Sequence, residues 1–263
     1  MPEPIILFIL GAVLGSFINV CIYRLPRNES VISPPSHCPK CQNKLSFFDL
    51  IPIISYFMLG RKCRYCGTRI SFRYTLVEIL CGYVMVWLYV QQLPLSAFIF
   101  AVIFSYLLIG IFFIDAENQV IPDALNMALL FTGLIYNLLR ATLLSSLGIQ
   151  FHFFSSALLG AIVGFAVLWL IGFLGKVWLK KQAMGEGDIF LAAALGACLG
   201  VKGVLLAILL SYFLAAVVAI YLLLTGRTKM GQYIPFGPAL ASGGILALFY
   251  GPRIIDWYLR LFL

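Results

Sequence analysis

Between Ile79 and Ile114 the chain carries no charged residue, and shorter uncharged runs recur as far as Gly251. A hydrocarbon core of ~30 Å is crossed by roughly 20 apolar residues in a helix, so the first of these runs exceeds one crossing. Gln91-Gln92-Leu93-Pro94 interrupts it near its middle, which predicts two spans joined by a tight turn. Of the 263 residues, 62% are hydrophobic and 11% charged, against about a quarter charged in a soluble domain. These numbers exclude a water-soluble fold and predict an all-α polytopic membrane protein.

The other spans follow from the same punctuation. Ile5 to Tyr23 comes after Glu3 rather than a basic segment and is followed by Arg24 and Arg27, so it reads as a retained first span, not a removed signal peptide. A span opens near Pro122, a residue suited to a first helical turn, and ends near Arg140; a looser segment with Ser145, Ser146 and Gly148 follows. Further spans are expected from about Phe153 to Gly175, Ile189 to Val201, Gly203 to Thr225 and Ile234 to Gly251. The total is about eight transmembrane helices, divided as a first span (1–23), a hydrophilic insertion (24–74) and a remaining membrane domain of about seven spans (75–263).

Lys and Arg collect in cytoplasmic loops. Nine of the 18 lie between Arg24 and Tyr74, and Lys176, Lys180, Lys181, Arg227 and Lys229 join them on that side, against Arg140, Lys202, Arg253 and Arg260 on the other. The insertion is therefore expected in the cytoplasm and both termini outside. The net charge of +8 is accounted for by these flanks and predicts no nucleic-acid partner; membrane lipid is the expected surroundings.

Within the insertion, Cys38-Pro39-Lys40-Cys41 is followed 25 residues later by Cys63-Arg64-Tyr65-Cys66. Two such pairs of thiolates suit a tetrahedral zinc site, and four cysteines fill its coordination sphere, which makes the metal structural. A cytoplasmic compartment disfavours the disulfide alternative. The flanking residues repeat as well: Lys44-Leu45-Ser46-Phe47 follows the first pair and Arg69-Ile70-Ser71-Phe72 the second, so the insertion reads as a duplicated knuckle with a short strand-like segment after each arm. The apolar stretch from Asp49 to Leu59 between them packs on the zinc module, lies in the membrane interface, or forms an ordinary buried helix. Cys21, Cys81 and Cys198 fall in apolar spans and read as core residues.

Five of the ten carboxylates gather at two span ends on the cytoplasmic side: Asp115, Glu117, Asp123, Glu186 and Asp188. An ionisable group close to the hydrocarbon is a functional candidate. Helix capping accounts for Asp123 and Glu186, but Asp115 ends a helix, where an acid opposes the dipole. Asp188 lies in Gly185-Glu186-Gly187-Asp188, where the two glycines permit irregular backbone, and begins a short span. Two carboxylates held together share a proton; the ionised member can then activate water while the protonated one hydrogen-bonds a carbonyl, the chemistry of an aspartic peptidase.

Six motifs run in order along nearly the whole chain: Gly15-Ser16-Phe17-Ile18-Asn19-Val20 with Arg24-Leu25-Pro26; the paired cysteines; Tyr74-Thr75-Leu76-Val77-Glu78; Ile114-Asp115 leading to Ile121-Pro122-Asp123; Gly185-Glu186-Gly187-Asp188; and Pro235-Phe236-Gly237-Pro238. In this the chain resembles the type IV prepilin peptidases, the bifunctional leader peptidase/N-methyltransferases. The resemblance implies a multi-pass protein of the bacterial inner membrane with its active site at the cytoplasmic face. It implies as substrate the basic leader of a prepilin or pseudopilin of a type IV pilus or type II secretion system. It also implies Asp115 and Asp188 as catalytic residues, with Gly185 and Gly187 as backbone support. Methylation of the new N-terminal amine by S-adenosylmethionine is implied in the same way; the insertion offers no glycine-rich cofactor loop, and the cofactor-binding residues are not assigned. Glu78, an acid near the start of the second span, is a candidate for contacting that amine or supporting the zinc module.

Two other readings compete. A serine peptidase using Ser16 lacks a nearby lysine and leaves the acids unexplained. A non-catalytic membrane scaffold or ion transporter with a structural zinc site would use the carboxylates as ligands.

Overall fold

The protein is described here from a computed structural model covering residues 3–143, 150–180, 184–228 and 234–262. Lys181 and Lys229, counted above for orientation, and Ser145, Ser146 and Gly148 lie outside the described residues. Among those described there is no β-strand; the α-helices are α1 (Glu3–Arg24), α2 (Ile54–Met58), α3 (Phe72–Val90), α4 (Leu95–Asn118), α5 (Asp123–Leu143), α6 (Gln150–Leu179), α7 (Glu186–Leu224) and α8 (Gly237–Phe262). The chain forms two compact units, dividing between Gly110 and Ile111 inside α4.

Among the described residues six helices, α1, α3, α4, α6, α7 and α8, are long and apolar enough to cross a membrane. The protein is thus an all-helical, multi-pass membrane protein. The difference from the expected eight arises at two places. Helix α5 is long enough at 21 residues, but Asn126, Asn137 and Arg140 dilute its apolar character. Helix α7 runs for 39 residues through a break at Gly200 (φ 69°, ψ −178°), a backbone conformation that favours glycine. A straight helix would carry Tyr212 about 36 Å along the axis from Asp188; the two side chains nevertheless interact electrostatically. The chain therefore doubles back at Gly200, where a boundary between Val201 and Gly203 was expected. Near this bend α6 and α7 touch backbone to backbone: a Cβ on Gly196 would collide with the Gly160 carbonyl oxygen, the close approach that small residues permit in a membrane.

In the first unit α1 packs along α3, and the insertion between them is tied to its root by Arg24. The buried guanidinium of this residue donates to the carbonyls of Ser30 (2.8 Å) and Pro34 (2.6 Å).

The duplication seen in the sequence extends to the backbone. Cys38 N–H donates to Asn43 O, Gln42 N–H to Cys38 O and Leu45 N–H to Ser36 O; in the second arm the same bonds run from Cys63 to Thr68, Gly67 to Cys63 and Ile70 to Arg61. The expected strand-like segments shrink to single antiparallel bridges, His37 with Lys44 and Lys62 with Arg69. Each arm then closes on a serine. Ser46 caps a 3-10 turn at Phe47–Leu50 and Ser71 caps α3.

The two arms differ in one informative respect. The left-handed position of each knuckle is Gln42 (φ 58°) in the first and Gly67 (φ 66°) in the second. Replacing Gly67 with alanine is expected to destabilise the insertion by about 1 kcal/mol, whereas Gln42→Gly should stabilise it by about 0.5 kcal/mol. Limited proteolysis against temperature, with zinc present, measures both; equal effects of the same sign would show that the left-handed backbone is not the controlling feature.

Candidate active site and metal centre

The four cysteine sulfurs, Cys38, Cys41, Cys63 and Cys66, lie within 4.8 Å of one another. Zn–S bonds of 2.3 Å in a tetrahedron put sulfurs about 3.8 Å apart, and Cys38 Sγ lies 3.8 Å from Cys66 Sγ. All are free thiols, far beyond a disulfide bond length of about 2.05 Å. The Thr68 hydroxyl and N–H hold the Cys66 thiol down to about 6, favouring the thiolate that a metal requires. The site fits zinc in number, element and spacing.

A second pin joins the arms. Arg64, inside the second Cys-x-x-Cys, donates from Nε to Asp49 Oδ1 at 2.9 Å, while Asp49 Oδ2 accepts from the Ser46 hydroxyl (2.8 Å) and N–H (3.1 Å). Burial pushes the Asp49 carboxyl up, but the bonds from Ser46 and the Arg64 guanidinium outweigh it and hold the group below its ordinary value. The stretch from Asp49 to Leu59 is not a buried helix: α2 buries only Tyr56, and Met58 is 82% exposed, with Phe47, Phe48, Ile54 and Phe57 also open.

In the second unit Asp115 and Asp188 are 3% and 4% exposed and lie within electrostatic range of each other. Asp115 sits in the last turn of α4, where its own helix dipole opposes it. The compensation comes from elsewhere: Asp115 Oδ2 accepts the Gly237 N–H at 2.9 Å, which places the carboxylate at the N-terminus of α8, the favourable pole of that helix. Gly237 carries no side chain because none fits; a Cβ there would stand 2.5 Å from Asp115 Oδ2.

Asp188 is the third residue of α7 and accepts the N–H of its N-cap, Gly185. Ordinary capping thus engages this acid too, but it leaves Asp188 Oδ1 buried without a hydrogen-bond partner among the described residues. A Cβ on Gly185 would stand 3.1 Å from Asp188 Oδ2, and one on Gly187 3.0 Å from Ile121 Cβ. Both glycines therefore admit close neighbours at helical or extended backbone angles. Glu117, Asp123 and Glu186 are exposed.

Three residues were not singled out by reading the carboxylates alone. Gly237 was visible only within its Pro-Phe-Gly-Pro motif. Asn126 is buried in α5 and donates to Gly187 O at 3.2 Å, steadying the glycine turn before Asp188; its signal was an amide in an otherwise apolar helical face. Tyr212 interacts with Asp188 and packs on Phe236 at 5.0 Å between ring centroids, and nothing in the sequence distinguished it from other span tyrosines.

Glu78 is positioned in the first unit. Its Oε2 accepts the Ile53 N–H at 2.8 Å and its carboxylate is hydrogen-bonded by Ser16. Ile53 has φ 64° and ψ −55°, and Ile54 N–H reaches back to Pro52 O at 2.6 Å; this is the positive-φ γ-turn, strained for any L-residue and more so for a β-branched one.

Residues 9–92 match the bacterial peptidase A24 N-terminal domain and residues 101–220 the type IV leader peptidase family. Curated relatives named prepilin leader peptidase/N-methyltransferase include one from Aeromonas hydrophila, 35% identical over 98% of this chain and 94% of the relative. Others come from Neisseria gonorrhoeae (34%; 95% and 93%) and Pseudomonas aeruginosa (34%; 96% and 92%). No solved structure matches. With two buried aspartates, a four-cysteine cluster and near-full-length similarity to these peptidases, the chain belongs to the type IV leader peptidase family.

Proposed function

We propose that the protein is a membrane aspartic endopeptidase of the GxGD type that cleaves the basic leader of type IV prepilins or pseudopilins. The observation that carries this reading is the buried pair Asp115 and Asp188, one oxygen of which has no partner. Asp115, held by the Gly237 N–H, is the ionised member and takes the proton of the attacking water. Asp188 Oδ1, which no donor among the described residues reaches, is the position of the shared proton and hydrogen-bonds the scissile carbonyl. Water oxygen bonds to the carbonyl carbon, the C–N bond breaks, and the departing amine collects a proton from the pair. Gly185 and Gly187 support this site by letting the backbone approach Asp188.

The topology proposed with it has eight crossings, counting α5 and the two halves of α7. Residues 24–74 then form a cytoplasmic zinc module between a first span and a peptidase domain of 75–263, in the bacterial inner membrane with the reaction at the cytoplasmic face. An acidic site facing a basic leader adds an attraction that salt weakens.

N-methylation of the new terminus by S-adenosylmethionine is proposed from the relatives' names alone. The insertion is filled by two knuckles, a 3-10 turn and the short α2, with no glycine-rich strand-to-helix turn of the kind that cradles a nucleotide. The described residues therefore assign no place to that cofactor.

The reading is tested by incubating the purified protein with a prepilin-like peptide, with and without S-adenosylmethionine, and measuring product masses. Loss of the leader is expected in both arms; an intact peptide in both overturns the peptidase. A second test targets the α8 contact. Gly237→Ala puts a methyl group on Asp115 Oδ2, and a drop in kcat of about a hundredfold or more is expected, with zinc content unchanged. Wild-type turnover would remove Gly237 from the site.

A further inference from the structure

Glu78 is 8% exposed, yet no cationic side chain pairs with it among the described residues. Buried carboxylates are normally paired, because an uncompensated charge in a low-dielectric setting is costly. Arg24 is committed to loop carbonyls and Arg73 stacks on the Tyr74 ring at 4.5 Å.

The neighbours of Glu78 make the imbalance larger. Thr75 lies one helical turn before it on α3, Ser16 hydrogen-bonds it from α1, and Asn19 follows Ser16 by one turn, where the helices touch: a Cβ on Gly15 would stand 3.0 Å from Glu78 Cα. Asn19 is 3% exposed and Thr75 1%. Asn19 gives its Nδ2 to Tyr74 O at 2.8 Å, but its Oδ1 and Thr75 Oγ1 are buried without partners among the described residues. An amide oxygen and a carboxylate can only accept, and a hydroxyl can accept. Two unanswered acceptors and a carboxylate, spread over adjacent turns of the α1–α3 contact, can be answered by a ligand with several donors, and a positive charge would answer Glu78. Water, with two donors and no charge, meets neither requirement in full. The strained turn at Ile53 lies directly on this cluster, and strain of that kind is retained where surrounding structure enforces it for a purpose.

We propose that Glu78, Asn19 and Thr75 form a binding site for a primary ammonium group, and that its occupant is the N-terminal amine of the cleaved substrate. Resting on the leader-peptidase reading for the source of that amine, the assignment accounts for the position of Glu78 in the second turn of a membrane-spanning helix. The resemblance to the prepilin peptidases implies a leader cut just before the substrate's hydrophobic helix, and such a product presents its amine at that depth. Glu78 is a binding residue here, distinct from the two aspartates.

The test measures affinity of the full-length protein in detergent for three synthetic peptides carrying the apolar segment of a pilin. One is lysine-free with a free amine, one is lysine-free and N-acetylated, and one is N-acetylated with a single lysine at its start. The wild type should prefer the free amine over the acetylated peptide by roughly tenfold or more, the range of a charge-assisted hydrogen bond. Glu78→Gln should abolish that preference, and Thr75→Val should reduce it. Equal binding of the first two peptides by the wild type overturns the proposal, as does a Glu78→Gln protein that keeps the preference or weakens for both peptides equally. That last outcome would mean that Glu78 only holds the Ile53 turn. Should Glu78→Gln fail to fold, Thr75→Val decides, and an unchanged preference sinks the site. Preference for the lysine peptide alone would overturn the assignment to an N-terminus. Cleavage of an intact leader peptide by the wild type is scored separately, so a failed peptidase reading is distinguishable from a failed amine site.

Discussion

Asp115→Asn and Asp188→Asn are each expected to lower leader cleavage about a thousandfold or more, the scale of losing a general acid or base. The fold should survive both. An amide at position 115 still offers an oxygen to the Gly237 N–H, and one at position 188 can still accept from Gly185. Each variant also removes one of two buried acids that lie within electrostatic range. Melting temperatures equal to or above wild type are therefore expected, as when a strained functional site is relieved. Inactive protein that also melts early or fails to insert would point to a structural role. Normal cleavage by either variant would end the dyad reading.

The second large effect belongs to the metal. Cys38→Ser should lower zinc affinity by at least about a hundredfold and leave the insertion open to protease, with strong chelators reproducing the effect on the wild type. The reason is the size of the module. Its described residues include short helices, two isolated bridges and largely exposed apolar side chains, so a zinc ion bound there would supply most of its folding free energy. The Arg64–Asp49 pair cannot replace it, because the arginine side chain is 52% exposed and such pairs contribute about 0–1 kcal/mol. A serine variant with full metal content and full protease resistance would contradict this account.

Legibility in the sequence followed the range of the interactions. Several span boundaries were readable because charges and the Gln91–Pro94 turn punctuate apolar runs locally, but the last helix runs on through Pro252 to Phe262 where an end near Gly251 was expected; the cysteine pairs were readable because their spacing suits one tetrahedral metal site. The doubling back of α7 was readable in part: Lys202 marked the place, while the residue that turns the chain is Gly200. The Asp115–Gly237 bond joins positions 122 residues apart, and no local pattern encodes it. Asp115 was flagged because it opposes its own helix, but the α8 terminus that relieves it required three dimensions. Asn126 and Tyr212 stayed hidden for the same reason. The Ile53 turn was hidden for another: a β-branched residue in a proline-flanked apolar stretch predicts extended backbone, and it is the Glu78 carboxylate that accompanies the opposite outcome.

The two knuckles have one more implication. Each arm closes its own backbone hydrogen bonds and offers two sulfurs, so a zinc ion held by both would be a bivalent guest, with the second arm delivered at an effective concentration set by the chain between Cys41 and Cys63. Its release would then be sequential, one arm letting go and rebinding before the other follows. The lifetime of such a folded insertion would be set by the coincidence of both openings, and so by the linker as much as by the sulfurs.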